Sequence, residues 1–261
     1  MEKSKRLWLA PLMVLSLFAF QQFAAGTGRF VASLFSYDAI DPYGLFAWVS
    51  VHHIVQMTIA LVAIGVLAIV KGIDFGFRLG DVKTGLEHTL NFTIVLLIYV
   101  AVNNIQGYLR FGAFAFMPSF ILNTTNVAGT LGFQLLLSGT SEEILFRALP
   151  ITLLVYSLGT GKSITIDKRI AGVSSFEVSR ETIIAAALFA IAHIGWELNP
   201  FTITHLSIHQ QVLSIVFGIF YGVAYQQSKS VIYPMIMHGI SNFVIVGASY
   251  ILWILFRPWP W

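Results

Sequence analysis

Seven apolar runs, each near or beyond the roughly 20 residues that cross a bilayer, succeed one another along this chain: 7–25, 45–70, 84–105, 127–158, 180–196, 206–225 and 231–255. In lipid a backbone must satisfy its own hydrogen bonds, which leaves only helices and closed barrels. Barrel strands would be shorter and would alternate in polarity, whereas these runs are long and carry Ala, Leu and Phe throughout. The chain therefore reads as an all-α, polytopic transmembrane bundle of about seven to eight spans. No Pro/Gly/Ser-rich or charge-rich linker divides the runs, so residues 1–261 form a single integral membrane domain. A hydrophobic content of 57% against 10% charged residues excludes an ordinary soluble domain.

The charge distribution narrows the picture. A formal net charge of +3, dispersed along the chain, gives no footprint for nucleic acid. With no cysteine, disulfides, a catalytic thiol and thiolate metal sites are all excluded. The start, MEKSKR followed by 19 apolar residues, exceeds the h-region of a cleaved signal and reads as a retained first span. With that N-terminus cytoplasmic, Lys3, Lys5, Arg6, Lys71, Arg78, Lys83, Lys162, Lys168, Arg169, Arg180 and Lys229 lie inside, against Arg29, Arg110 and Arg257 outside. Eleven to three follows the positive-inside rule and puts the C-terminus outside. Residues 107–126 are apolar enough to dip into the bilayer, and an eighth span would bring the C-terminus inside. Phe75–Leu79 reads as an interfacial segment with Arg78 among headgroups.

The fourth run is too long for one crossing. Its 32 residues would reach roughly 48 Å as a straight helix, against roughly 30 Å of hydrocarbon. Proline removes a backbone donor and clashes with the preceding turn, so a bend is expected near Leu149-Pro150.

Within that run lies SGTSEEILFRALP, residues 138–150. A charge at mid-bilayer costs about 3 kcal/mol on insertion scales and ordinarily faces the bundle interior. Glu143 and Arg147 are four apart and can pair, while Glu142 is rotated by about 100° and points elsewhere. One carboxylate is thus partnered and one is spare, which is what a general acid or base in a desolvated place requires. His193 sits one turn after Phe189, and His238 and Asn242 share a helical face. Measured from the cytoplasmic ends of their runs, or from Pro150, His238, His193 and Glu142 lie at depths of about 10, 15 and 12 Å. The three can meet at one level.

Taken together, Glu142-Glu143-x-x-x-Arg147, Phe189-x-x-x-His193 and His238-x-x-x-Asn242 resemble the three-motif signature of the CPBP family of intramembrane proteases. That family includes type II CAAX prenyl endopeptidases and Abi-like bacteriocin-processing or immunity proteins. Gly218-x-x-x-Gly222 and the turn leading to His238 fit the same pattern, and the core carrying the motifs spans 127–255. The resemblance implies hydrolysis of a peptide or membrane-protein substrate, lipidated or not, at a site within the bilayer toward the cytoplasmic side.

Two chemistries follow from the resemblance. In one, Glu142 is the general base on a water that His193 helps to hold, His238 and Asn242 donate to the oxyanion, and Glu143 and Arg147 support them. In the other, His193 and His238 with Glu142 or Glu143 bind Zn²⁺. Asparagine is a poor zinc ligand and a good oxyanion donor, which favours the first; zinc stays open as a cofactor. A non-proteolytic adaptor or immunity protein on the same fold, and a proton-coupled transporter using the same carboxylates and histidines, are the rival functions. The remaining histidines read otherwise: His205 and His209 as a conceivable second metal pair with Glu197 nearby, and His52, His53 and Gln56 as packing or cavity-lining residues. Gly218-x-x-x-Gly222 permits close helix contact.

Overall fold

The computed structural model describes residues 3–112, 114, 118, 120–161, 163–166, 176–198 and 200–256. In chain order it comprises α1 Lys3–Ala32, α2 Ala47–Lys71, α3 Val82–Phe111, α4 Thr124–Gly132, α5 Gly139–Glu143, α6 Leu149–Leu158, α7 Arg180–Ala192, α8 Ile208–Ser228 and α9 Ile232–Phe256. Two short antiparallel hairpins, β1 Ser163–Ile166 with β2 Phe176–Ser179 and β3 Gly195–Leu198 with β4 Phe201–His205, flank α7. Lys162, Lys168, Arg169 and Arg257, which entered the charge argument, lie outside the described residues, as does part of 107–126.

Among the described residues, five helices are long and apolar enough to cross a membrane: α1 from Trp8, α2, α3, α8 and α9. Their outward faces carry exposed Val62, Ile69, Leu90, Leu97 and Leu109, an apolar exterior that suits lipid and not water. The other two expected spans are not single long helices. α7 has 13 residues, roughly 20 Å, and ends at His193, after which the chain turns into β3 instead of continuing helical to Trp196.

The fourth run is helical from Thr124 to Leu158 but its hydrogen-bond register widens twice, at Phe133–Ser138 and at Ile144–Ala148. Such π turns insert an extra residue and are a recognised cause of bends. The disruption therefore falls one turn before Leu149-Pro150, and Ala148 and Leu149 keep right-handed helical dihedrals. In a five-residue register the carbonyl of Leu145 would look to the N–H of residue 150, which proline lacks. Gln21 of α1, itself buried, donates its Nε2–H to that oxygen at 3.4 Å.

Helices pack in pairs, α1 on α2 and α7 on α8, with α3 against α8 and α9 and α5 against α9. One core joins α1 and α2 to 144–151, α7 and Tyr225; a second joins α3, α8 and α9 around Phe92, Tyr221 and Met237. Phe75 is buried in the first core, so only Phe77, Arg78 and Leu79 of the expected interfacial segment are exposed. α2 is fixed at its start by Asp41, whose carboxylate accepts from the backbone N–H groups of Leu45, Phe46 and Ala47 at 2.8, 2.7 and 2.7 Å. Burial works against the charged carboxylate, but these bonds outweigh it and hold the Asp41 carboxyl below its usual range.

Candidate active site

The site forms where α5 meets α9, and two glycines allow the meeting. A methyl on Gly139 would lie 2.7 Å from the backbone nitrogen of Gly239 and 3.0 Å from His238 Cβ; one on Gly239 would run into the carbonyl oxygen of Leu135. Backbones this close bring the turn bearing Glu142 and Glu143 against the turn bearing His238 and Asn242. The contact predicts that Gly239→Ala costs about 1–3 kcal/mol by overpacking. Gly247→Ala is the control on the same helix, since its nearest neighbour would stand at 3.9 Å. Thermal unfolding of the two variants in detergent checks the difference.

Glu143 and Arg147, four apart, are both fully buried, with Arg147 Nε 3.2 Å from Glu143 Oε2. The guanidinium lies 4.2 Å from the centre of the Phe189 ring and 5.4 Å from that of Tyr221, so aromatic faces supply part of what water would have given it. Glu143 Oε1 takes a hydrogen bond from His238 Nδ1 at 2.8 Å. His238 is stacked on Tyr221 at 5.0 Å, and the Tyr221 hydroxyl is 2.8 Å from Ser241 Oγ. The imidazole is thereby fixed, with Nε2 turned toward the second carboxylate: His238 Nε2 to Glu142 Oε2 is 3.6 Å.

Glu142 keeps 15% of its side-chain surface exposed, in contrast to the sealed Glu143. Its other oxygen, Oε1, is 3.7 Å from His53 Nε2, contributed by α2. His193 caps the C-terminus of α7, donating from Nδ1 to the carbonyl of Phe189 at 2.8 Å. That bond fixes its tautomer, leaving Nε2 as a hydrogen-bond acceptor. Asn242 donates from Nδ2 to Ser138 Oγ at 3.1 Å, which orients the amide while leaving its second N–H for another acceptor. His193, Tyr221, His238, Ser241 and Asn242 line a cavity of about 150 Å³ between the end of α7, α8 and α9. Glu142 lies outside that lining and joins the set through its contacts with His238 and His53.

Ser138, Ser141, Tyr221 and Ser241, to which the sequence assigns no role, and His53, which it reads as packing or cavity-lining, belong to this constellation. The Nδ1 of His53 sits 2.6 Å from the hydroxyl of Ser141, the residue preceding Glu142, a more specific place than packing or cavity lining. Nothing local distinguishes it from His52, whose Nε2 instead bonds Gln56 at 3.1 Å. His205 and His209 do not form a pair: one ends β4 and bonds Gln210, the other starts α8 and bonds Tyr99. Gly218 and Gly222 serve contact within the chain, a methyl on the first meeting Ala186 and Arg147 at 3.1 Å and on the second Thr182 at 2.8 Å.

Zinc was open on His193 and His238 with Glu142 or Glu143. Among the described residues no three His, Cys, Asp or Glu side chains gather closely enough to hold a metal ion. Glu143 is moreover committed to Arg147 and His238 Nδ1. The arrangement does not fit a zinc centre.

Fold and site together define an integral membrane protein of helical class with a buried acid–base constellation at its centre. Residues 124–244 match the family model described as Type II CAAX prenyl endopeptidase Rce1-like, which bears out the resemblance to the CPBP intramembrane proteases and implies a protease. No curated protein and no solved structure gives a match.

Proposed function

We propose that the protein is an intramembrane endopeptidase in which Glu142 is the general base on water. The observation that carries this reading is the division of labour between adjacent carboxylates: Glu143 is fully buried and neutralised by Arg147, while Glu142 is partly accessible and its two oxygens face the imidazoles of His53 and His238. Glu142 takes a proton from water as its oxygen adds to the scissile carbonyl. His193, acceptor at Nε2, holds that water by a second hydrogen bond. The tetrahedral oxyanion is met by the free N–H of Asn242 and by Nε2–H of His238. To donate there while Nδ1 bonds Glu143, the His238 ring carries both protons, and carboxylates at its two nitrogens supply the counter-charge. The carbon–nitrogen bond then breaks as Glu142 returns its proton to the leaving amine.

The substrate class in this proposal is a peptide tethered to the membrane, with a prenylated CAAX C-terminus the first to try given the matched family. The excess of basic residues in the segments assigned inside supports a site toward the cytoplasmic face. Purified protein in detergent, offered quenched peptides with and without a farnesylated CAAX end, is expected to cleave at least one of them. A strong chelator is expected to leave the rate unchanged, and His193→Ala to lower it about 10²-fold. Loss to chelator with recovery on adding zinc would replace the glutamate–water mechanism by a metal one. No cleavage by wild type, with cellular function preserved in His193→Ala, would favour an adaptor.

A further inference from the structure

The family match begins at residue 124, yet an imidazole facing Glu142 comes from residue 53, in the half of the chain outside the match. The two oxygens of Glu142 are treated alike, Oε1 facing His53 Nε2 at 3.7 Å and Oε2 facing His238 Nε2 at 3.6 Å. Both separations are longer than a hydrogen bond, as catalytic contacts commonly are before substrate draws them in.

His53 is not a histidine that merely fills space. It is buried, edge-on to Phe133 at 5.0 Å, and anchored at its far nitrogen by two groups. Ser141 Oγ is 2.6 Å from Nδ1 and Gln56 Nε2 is 3.3 Å from it. The amide of Gln56 is itself oriented by His52, whose Nε2 bonds its Oε1 at 3.1 Å. With Gln56 Nε2–H donating to Nδ1, the ring proton of neutral His53 stands on Nε2, facing Glu142 at 3.7 Å, and the Ser141 hydroxyl has the Ser138 carbonyl oxygen at 3.1 Å as its acceptor. A chain of contacts thus runs His52, Gln56, His53, Glu142, and ties α2 to the turn that bears the carboxylate. His238 from α9, His193 from the end of α7, and Glu143 and Arg147 from the same run as Glu142 are the other ionisable groups around it.

We infer that His53 is a positioning residue for Glu142, directing Oε1 from α2 so that the carboxylate is held between two imidazoles while it accepts and returns the proton. The inference rests on the reading of Glu142 as general base.

Glutamine and asparagine variants test it, because they keep different nitrogens of the ring. His53→Gln places an amide N–H near Nε2 and can still reach Glu142; His53→Asn places its amide oxygen near Nδ1, keeps only the contacts to Ser141 and Gln56, and falls short of Glu142. With whichever quenched peptide the wild type cleaves, His53→Asn is expected to lower kcat about 10²-fold, the cost of misplacing a reacting group by an ångström. KM should stay within about threefold, and His53→Gln should retain kcat within about fivefold, an order-of-magnitude expectation for a preserved contact.

Any other pattern overturns the inference: asparagine as active as glutamine, both equally impaired, or a change carried by KM. Should neither variant fold, as judged by its melting curve and elution profile, Ser141→Ala serves in their place. Loss of kcat at constant KM then supports the role, and wild-type kcat overturns it. The two readings fail separately: Glu142→Gln inactive with His53→Asn fully active removes only the role of His53. Wild-type activity in Glu142→Gln, or none in the wild type, removes both.

Discussion

Glu142→Gln is expected to lower kcat about 10²–10⁴-fold, the usual worth of a positioned general base, in a chain that still folds. Glutamine matches the carboxylate in shape and can occupy the space between His53 and His238, 3.7 and 3.6 Å away. What it cannot do is take up the proton of water and later release it to the leaving amine. Since the residue is partly exposed and stands 3.6 Å from His238 Nε2, whereas sealed Glu143 bonds His238 Nδ1 at 2.8 Å and pairs with Arg147, its neutralisation should cost less stability than that of Glu143. KM should change little, because the interaction removed is made chiefly in the transition state. Glu142→Asp, which keeps the acid but draws it back by one methylene, should fall between the two. Single-turnover cleavage of a quenched peptide measures all three. Wild-type turnover in Glu142→Gln would leave the carboxylate with no chemical task and overturn the general-base mechanism, while the protein would remain a protease.

Much of the fold was legible because it depends on local quantities. Length and apolarity suffice to find α1, α2, α3, α8 and α9, since a helix in lipid needs nothing from its neighbours to satisfy its backbone. The four-residue spacings were equally readable: Glu143 reaches Arg147, His193 bonds the Phe189 carbonyl, and His238 and Asn242 line one cavity. What escaped was set by tertiary contacts. The widened turns around Glu142 accompany the approach of Gly139 to Gly239 and the bond from Gln21 to Leu145, partners 100 and 124 residues apart along the chain. The end of α7 at His193 was hidden because Ile194 and Trp196 are as apolar as the helix before them, although they lead into a hairpin. His53 shows the limit most clearly. Adjacency told that His52 and His53 face different ways, but which one turns to Glu142 depends on how α2 is rotated in the bundle, and no local pattern encodes that rotation.

The buried pair offers the second large effect, and a way to divide folding from chemistry at one place. Removing one partner of a buried ion pair costs about 3–5 kcal/mol, whereas replacing both by apolar groups of similar volume is often neutral. Glu143→Leu should be the more damaging single change. Among the described residues it leaves Arg147 with the rings of Phe189 and Tyr221 alone, since Nη1 and Nη2 have no hydrogen-bond partner there already. Arg147→Met should cost less, because the Glu143 carboxylate retains the bond from His238 Nδ1 at 2.8 Å. The double variant should regain most of the stability, as read by thermal unfolding of the same preparations used for cleavage assays. It should not regain activity: without Glu143 the His238 ring loses the acceptor that fixes its orientation and supplies its counter-charge, and kcat should stay about 10²-fold down, as for loss of an oxyanion donor. A double variant both stable and fully active would reduce the pair to a packing device and show that Tyr221 stacking alone orients His238. A double variant as unstable as the two singles summed would mean that the surrounding helices demand charge at this place, and would assign the geometry of Phe189 and Tyr221 to the guanidinium and not to the imidazole.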